Sequence, residues 1–155
     1  ELRKNLGSIW SKLSDVSLNF NYTYVSSAVQ LGEQELVINT TSDRPLVGQA
    51  QNVVNAIVVY DVPKWGFDAR AFFNFQGERI TDVGQLGLPD IVERGFPSFD
   101  MRFSKTLGGE SKPWGITFDM QNLLNRQHDQ RQGDLPYRVY RSGRDFQIGV
   151  TYNFY

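Results

Sequence analysis

The sequence predicts an all-β protein of antiparallel transmembrane strands, about six to seven of them. Three observations predict it. Segment after segment alternates apolar and polar residues, the period of a strand whose successive side chains face opposite sides. After an opening turn, the connections run long, short, long, short, long. Aromatic residues gather toward the short-turn end of these segments.

Composition sets the bounds. The chain has 155 residues, a formal net charge of −1, no cysteine and 40% hydrophobic content. That length allows one domain with a real core. Balanced charge gives no sign of a nucleic-acid surface, and the lack of cysteine fits an oxidising compartment without requiring one. No run of about 18 apolar residues exists, which argues against a transmembrane helix. Mean hydropathy resembles that of a soluble protein, but a membrane barrel looks the same because half of each strand faces water. Aromatics make up a rich 14%, for which an aromatic girdle is one explanation. No signal peptide is visible at Glu1, so the chain reads as mature, as a fragment or as not exported.

Taken in order, Glu1 to Lys4 is too short for an element and reads as the tail of something that begins earlier. Asn5 to Asp15 reads as a turn anchored by Ile9, Trp10 and Leu13. From Val16 to Val29, Leu18, Phe20, Tyr22 and Tyr24 alternate with Asn19, Asn21 and Thr23, which predicts a strand. Gln30 to Pro45 is a long polar connection. Leu46 to Val62 is the next strand, with Val54, Ala56, Val58 and Tyr60 on one face. The contrast is weaker there, because Ile57 and Val59 lie on the nominally polar face. Pro63-Lys64-Trp65-Gly66 is a tight turn.

Phe67, Ala69, Ala71, Phe73 and Phe75 then share a face, on a strand expected to run on toward Thr81. Asp82 to Pro97 is expected as a long loop. Ser98 to Thr106 places Phe99, Met101 and Phe103 against Asp100, Arg102 and Ser104. A turn over Gly108 to Pro113 leads into a strand from Trp114 to Leu124, with Ile116, Phe118 and Met120 on its apolar face. Asn125 to Arg144 is expected as the third long connection.

The closing strand, Asp145 to Tyr155, alternates without a break. Phe146, Ile148, Val150, Tyr152 and Phe154 point one way, and Gln147, Gly149, Thr151, Asn153 and Tyr155 the other. In a soluble sandwich such an apolar face meets a second sheet. In a membrane barrel it meets lipid, and the polar face lines the lumen. Alternation alone is compatible with both.

Gln147-x-Gly149-x-x-Tyr152-x-Phe154 resembles the C-terminal signal of bacterial outer-membrane barrels, with Tyr155 following the aromatic that closes the motif. The resemblance implies that Gln147, Gly149, Tyr152 and Phe154 are read by the barrel-assembly machinery. The alternation of connections fits the same layout. The segments near 5–15, 63–66 and 107–113 are then periplasmic, and those near 30–45, 82–97 and 125–144 extracellular. Trp10, Tyr60, Trp65, Phe67, Phe103, Trp114, Tyr152 and Phe154 fall toward the periplasmic end, as a girdle would.

Several stretches together resemble the C-terminal barrel of TonB-dependent receptors. They are Asn21-Tyr22-Thr23-Tyr24, Arg44-Pro45-Leu46-Val47-Gly48-Gln49 leading into Val53-Val54-Asn55-Ala56, and Phe75-Gln76-Gly77-Glu78-Arg79-Ile80. The Leu88-Pro89-Asp90 loop, Gln121-Asn122-Leu123-Leu124-Asn125 and Gly143-Arg144-Asp145-Phe146 follow in the expected order. The resemblance implies an arc of a plugged barrel of about 22 strands. It also implies uptake of a scarce, bulky solute of the siderophore, cobalamin or glycan class, powered through TonB. Residues 1–155 would be the C-terminal part of that barrel, in the bacterial outer membrane, with the plug domain and TonB box outside this chain. The other readings are a small complete outer-membrane barrel with a structural or adhesion role, and a soluble β-barrel that binds a ligand.

Two sets of residues are candidates for function besides the assembly signal. Asp68, Arg70, Asp100, Arg102, Asp119 and Gln121 share the polar face of three consecutive strands, where they would face a lumen or simply pair and meet water. Arg126, His128, Arg131, Tyr137 and Tyr140 lie in the last long connection. Arginine forks and tyrosine rings suit an anionic or catechol-like ligand. The plainer reading is that basic residues there meet acidic lipid headgroups or Asp129 and Asp134. His128 is the one histidine and has no metal partner at ligand spacing. No cysteine nucleophile, Ser/His/Asp motif or Gly-rich phosphate loop is present. The expectation is a non-enzyme without cofactor or metal, whose partners are lipid, the assembly machinery, TonB and a solute, and not nucleic acid.

Overall fold

A computed structural model describes residues 1–30, 43–108 and 114–154. The chain is all-β and its sheets are antiparallel. Its strands are β1 (Leu2–Asn5), β2 (Val16–Tyr24), β3 (Val29–Gln30), β4 (Asp43–Arg44), β5 (Asn52–Val62), β6 (Phe67–Gln76) and β7 (Arg79–Asp82). They continue with β8 (Ile91–Glu93), β9 (Phe96–Leu107), β10 (Trp114–Gln121), β11 (Gln127–Gln132), β12 (Leu135–Arg141) and β13 (Asp145–Tyr152).

The main sheet has seven strands in the order β1-β2-β5-β6-β9-β10-β13, so each strand lies beside the next one contributed to that sheet. β1 and β13 form its two edges, and no closed barrel is formed among the described residues. The register stacks the apolar residues into continuous rows. One row runs Val16, Tyr60, Ala69, Phe103, Phe118 and Ile148; the next runs Leu18, Val58, Ala71, Met101, Met120 and Phe146. Because side-chain period is two, a slip of one residue at any strand would turn its apolar set to the other face.

The short connections are compact. Asn5 closes the first by accepting from the Gly7 N–H and donating to the Ser14 carbonyl, both at 2.8 Å. Pro63–Trp65 forms a single 3-10 turn that ends on Gly66 in the left-handed region, φ 60°. A β-carbon at Gly66 would run into the Thr106 hydroxyl, while the Gly66 carbonyl accepts from the Thr106 N–H at 2.8 Å. Glycine is required there for both reasons.

The long connections differ from expectation. Instead of loops over 82–97 and 125–144, β7, β8, β11 and β12 pair into a second, four-stranded sheet in the order β12-β11-β8-β7. The third strand does not run on to Thr81. It stops at Gln76, the Gly77 N–H bonds back to the Asn52 carbonyl at 2.8 Å, and Arg79 begins a strand of the other sheet. β9 likewise starts earlier than foreseen, at Phe96, and ends at Leu107.

Glu1 to Lys4 was expected to be too short for an element, yet Leu2–Asn5 is a strand because β2 supplies its ladder. β2 ends at Tyr24 rather than Val29, and β5 begins at Asn52 rather than Leu46, since Gly48 at φ 81° turns the chain. β10 stops at Gln121 rather than Leu124, because Asn122 and Asn125 take positive φ, 53° and 44°. Asparagine tolerates that region better than most residues. Most of the expected polar connection 30–45, most of the turn 108–113, and Tyr155 lie outside the described residues.

Burial is sparse. Among the described residues the hydrophobic side chains classed as buried are Ala50, Val62 and Ile91. The apolar face of the main sheet stays open, with Phe146 57%, Ile148 76% and Val150 62% exposed. A 155-residue chain has length enough to bury far more.

Candidate functional site

Two regions bring candidate residues together: the polar face of the main sheet, and the junction where the second sheet meets it.

On the polar face, Arg70 and Arg102 stand directly opposite each other across β6 and β9. Like charges in that position repel. Each guanidinium is taken by a carboxylate instead. Arg70 Nε donates to Asp68 at 2.9 Å, and Arg102 Nη2 donates to Asp119 Oδ2 at 3.1 Å across β9 and β10. Asn74 donates to Asn55 at 2.7 Å in the same face. Asp100 does not join these pairs. Its carboxylate accepts from the Asn122 N–H at 2.7 Å and so fixes the turn that ends β10. Gln121 stands opposite Asp145 of β13. Arg70 and Arg102 are about half exposed, so these pairs order side chains more than they stabilise the fold.

In the second sheet, Glu93 is 2% exposed. Its Oε2 accepts from Arg79 Nη2 at 2.7 Å and Nε at 3.0 Å, and its Oε1 lies 3.1 Å from His128 Nδ1. The His128 ring lies parallel to Tyr140 with centroids 4.6 Å apart and meets Phe96 edge-on at 4.4 Å. Arg138 sits over Tyr140 at 5.0 Å. A carboxylate this deep needs partners for its lone pairs, and Arg79 and His128 supply them. Neither Arg79 nor Glu93 stood out in the sequence as a site residue. Only the β7–β8 and β8–β11 pairings, Arg79 opposite Glu93 and Glu93 opposite Gln130, bring them to His128.

Of the five residues expected to contact a ligand, His128 and Tyr140 are stacked on each other. Arg131 is engaged by Asp129 at 3.1 Å, and Tyr137 is 59% exposed on β12. Arg126 and His128 share a pocket of about 280 Å³ with Asp100 and Gln121 at the junction of the sheets. The fold thus gathers residues of the expected ligand-contact set and of the expected lumen set around one concavity.

The stretches that carried the resemblance also meet in space. Arg44 Nη1 lies 3.5 Å from Asp90, both about nine-tenths buried, and Asp90 accepts from the Gly84 N–H at 2.7 Å. The Gly48 N–H donates to the Ile80 carbonyl at 2.7 Å.

In the assembly-signal segment, Gly149 stands opposite Thr117 and Gly115 opposite Thr151, so two small–hydroxyl pairs lie side by side on the polar face. On the other face Tyr152 packs between Trp114 and Phe154, at 4.6 and 4.7 Å. Gln147 donates to Asp145 at 2.8 Å. Phe154 is 89% exposed.

Comparison with protein-family models, curated proteins and solved structures returned no match.

Proposed function

We propose that this chain forms part of the wall of an outer-membrane β-barrel, the C-terminal strands of a TonB-dependent receptor that takes up a scarce, bulky solute. One observation carries the reading: the seven-stranded sheet leaves its apolar face open while its opposite face holds paired polar side chains. A water-soluble sheet of this size would put a second layer over Phe73, Phe146, Ile148 and Val150, but Phe73 is 37% exposed and the others more. Lipid would cover that face without any further protein.

Three features support it. β5, β6 and β9 have 11, 10 and 12 residues, and a tilted strand needs about 9–11 to cross the hydrocarbon. Trp65, Trp114, Tyr152 and Phe154 lie at the short-turn end, where amphipathic rings prefer the interface. The edges β1 and β13 lie at opposite sides of the sheet, as in an arc that further strands complete. On this reading the polar face lines the lumen, the second sheet stands on the extracellular side, and the pocket of Asp100, Gln121, Arg126 and His128 meets the solute.

The test is fractionation of cells expressing the protein, with an antibody raised against a peptide of this sequence. The expected band lies in the outer membrane, leaves it only with detergent, and is several times heavier than 17.7 kDa. A membrane band at 17.7 kDa would favour a small complete barrel, and a band released without detergent would overturn the membrane reading.

A further inference from the structure

The arginines of this chain divide into two groups. Arg3, Arg44, Arg70, Arg79, Arg94, Arg102 and Arg131 each lie within salt-bridge distance of a carboxylate. Arg126, Arg138, Arg141 and Arg144 form no ion pair among the described residues, and Arg138 instead lies over the Tyr140 ring. Arg126, Arg141 and Arg144 line one pocket of about 370 Å³ with Leu124, Asn125 and Gln127, and no acidic side chain stands in its wall among the described residues. All three are exposed, so their like charges repel only weakly through water, and an anion between them would be attracted by all three.

The floor of the pocket is tied together by hydrogen bonds. Asn122 and Asn125 take left-handed backbone, and Gly143 follows at φ 85°. The Asn122 side chain donates to the Gly143 carbonyl, Asn125 accepts from the Gly143 N–H at 3.1 Å, and Arg144 Nε donates to the Leu123 carbonyl at 2.8 Å. Arg141 is held opposite Gln127 by the β11–β12 ladder. Asp145, next to Arg144 in the chain, accepts from Gln147, and Asp100 lines the adjoining pocket and caps Asn122. Position adds a second argument. Arg144 leads directly into β13, two residues before Phe146, where the open apolar face begins.

We propose that Arg126, Arg141 and Arg144 form a binding site for a phosphate-type anion. Guanidinium forks present paired donors that match phosphate oxygens, and three of them neutralise a dianion. Two sources carry that chemistry: the phosphate of an anionic lipid headgroup at the rim of the apolar face, and free phosphate or a phosphorylated solute. The site itself does not depend on the membrane reading; only the lipid source does.

The test uses the purified full-length protein in neutral detergent. Inorganic phosphate and pyrophosphate are titrated calorimetrically. In parallel, the protein is mixed with detergent micelles containing phosphatidylglycerol or phosphatidylcholine, and retained lipid is read by native mass spectrometry. The double substitution Arg126→Gln/Arg141→Gln spares the Arg144–Leu123 bond and so the floor of the pocket. Arg138→Gln, outside the pocket, is the control.

The site predicts at least tenfold weaker anion binding in the double variant and no change in the control. Preferential retention of phosphatidylglycerol assigns the lipid source. Phosphate or pyrophosphate binding without lipid preference assigns the soluble source. If the unaltered protein binds none of these probes, or the control loses binding as much as the double variant, the proposal is overturned.

Discussion

Arg79 of β7 and Glu93 of β8 stand directly opposite each other, and both Nη2 and Nε of the guanidinium donate to one carboxylate oxygen, Oε2. The two partners are buried unequally. The Glu93 side chain is 3% exposed and that of Arg79 31%. The inequality makes the pair asymmetric to substitution. Arg79→Ala strands a buried carboxylate, with only His128 left to meet it, at a cost of about 3–5 kcal/mol. Glu93→Ala leaves a guanidinium that still reaches water, at a cost of about 1–3 kcal/mol. Hydrogen exchange over β8 and β11 measures both. Equal loss of protection in the two variants would contradict this account.

Gly66 gives a second prediction. Its positive φ and its approach to the Thr106 hydroxyl both exclude a side chain. Gly66→Ala is expected to cost about 1–3 kcal/mol, read as a lower urea midpoint of the detergent-purified protein. Lys64→Ala in the same turn, with no such constraint, serves as the reference. A midpoint unchanged by Gly66→Ala would show that the turn relaxes around the new methyl.

The two faces of β13 provide a direct test of what covers the sheet. Ile148 belongs to the open apolar face and Gln147 to the polar one. In a bilayer, Ile148→Arg is expected to cost up to about 2–4 kcal/mol for folding into vesicles, the most near the midplane, and Gln147→Arg close to nothing. The same cost at both positions would mean that lipid does not meet the Ile148 face.

Tyr152 and Phe154 form one aromatic group with Trp114, and Phe154 lies almost wholly open. If the segment is an assembly signal, Tyr152→Ala with Phe154→Ala lowers outer-membrane abundance several-fold while the message level stays constant. Quantitative blotting of outer-membrane fractions, with heat-modifiable gel mobility as the folding control, reads the effect. Unchanged abundance and mobility would remove the signal role.

Strand alternation is a local property, and it was legible residue by residue. Val54, Ala56, Val58 and Tyr60, Phe67 to Phe75, and Phe146 to Tyr152 each read correctly as one face, because a period of two needs only neighbouring residues to express it. The tight turn at Pro63–Gly66 was equally local. Boundaries were less so: β6 stops at Gln76 because Asn52, on another strand, takes the Gly77 N–H.

The second sheet had no such signature. Arg79, Glu93 and His128 lie 14 and 35 positions apart in the pairs they make, in segments without clear alternation. The pocket of Arg126, Arg141 and Arg144 depends on a ladder and on two asparagines in left-handed backbone. The sequence by itself determined which residues share a strand face and where the short turns near 5–15 and 63–66 fall. Only the tertiary structure decided which long connections pair, which arginines find carboxylates and which do not. Those outcomes follow from ladder register between segments distant in the chain, and register is fixed by the pairing of whole strands rather than by any residue alone.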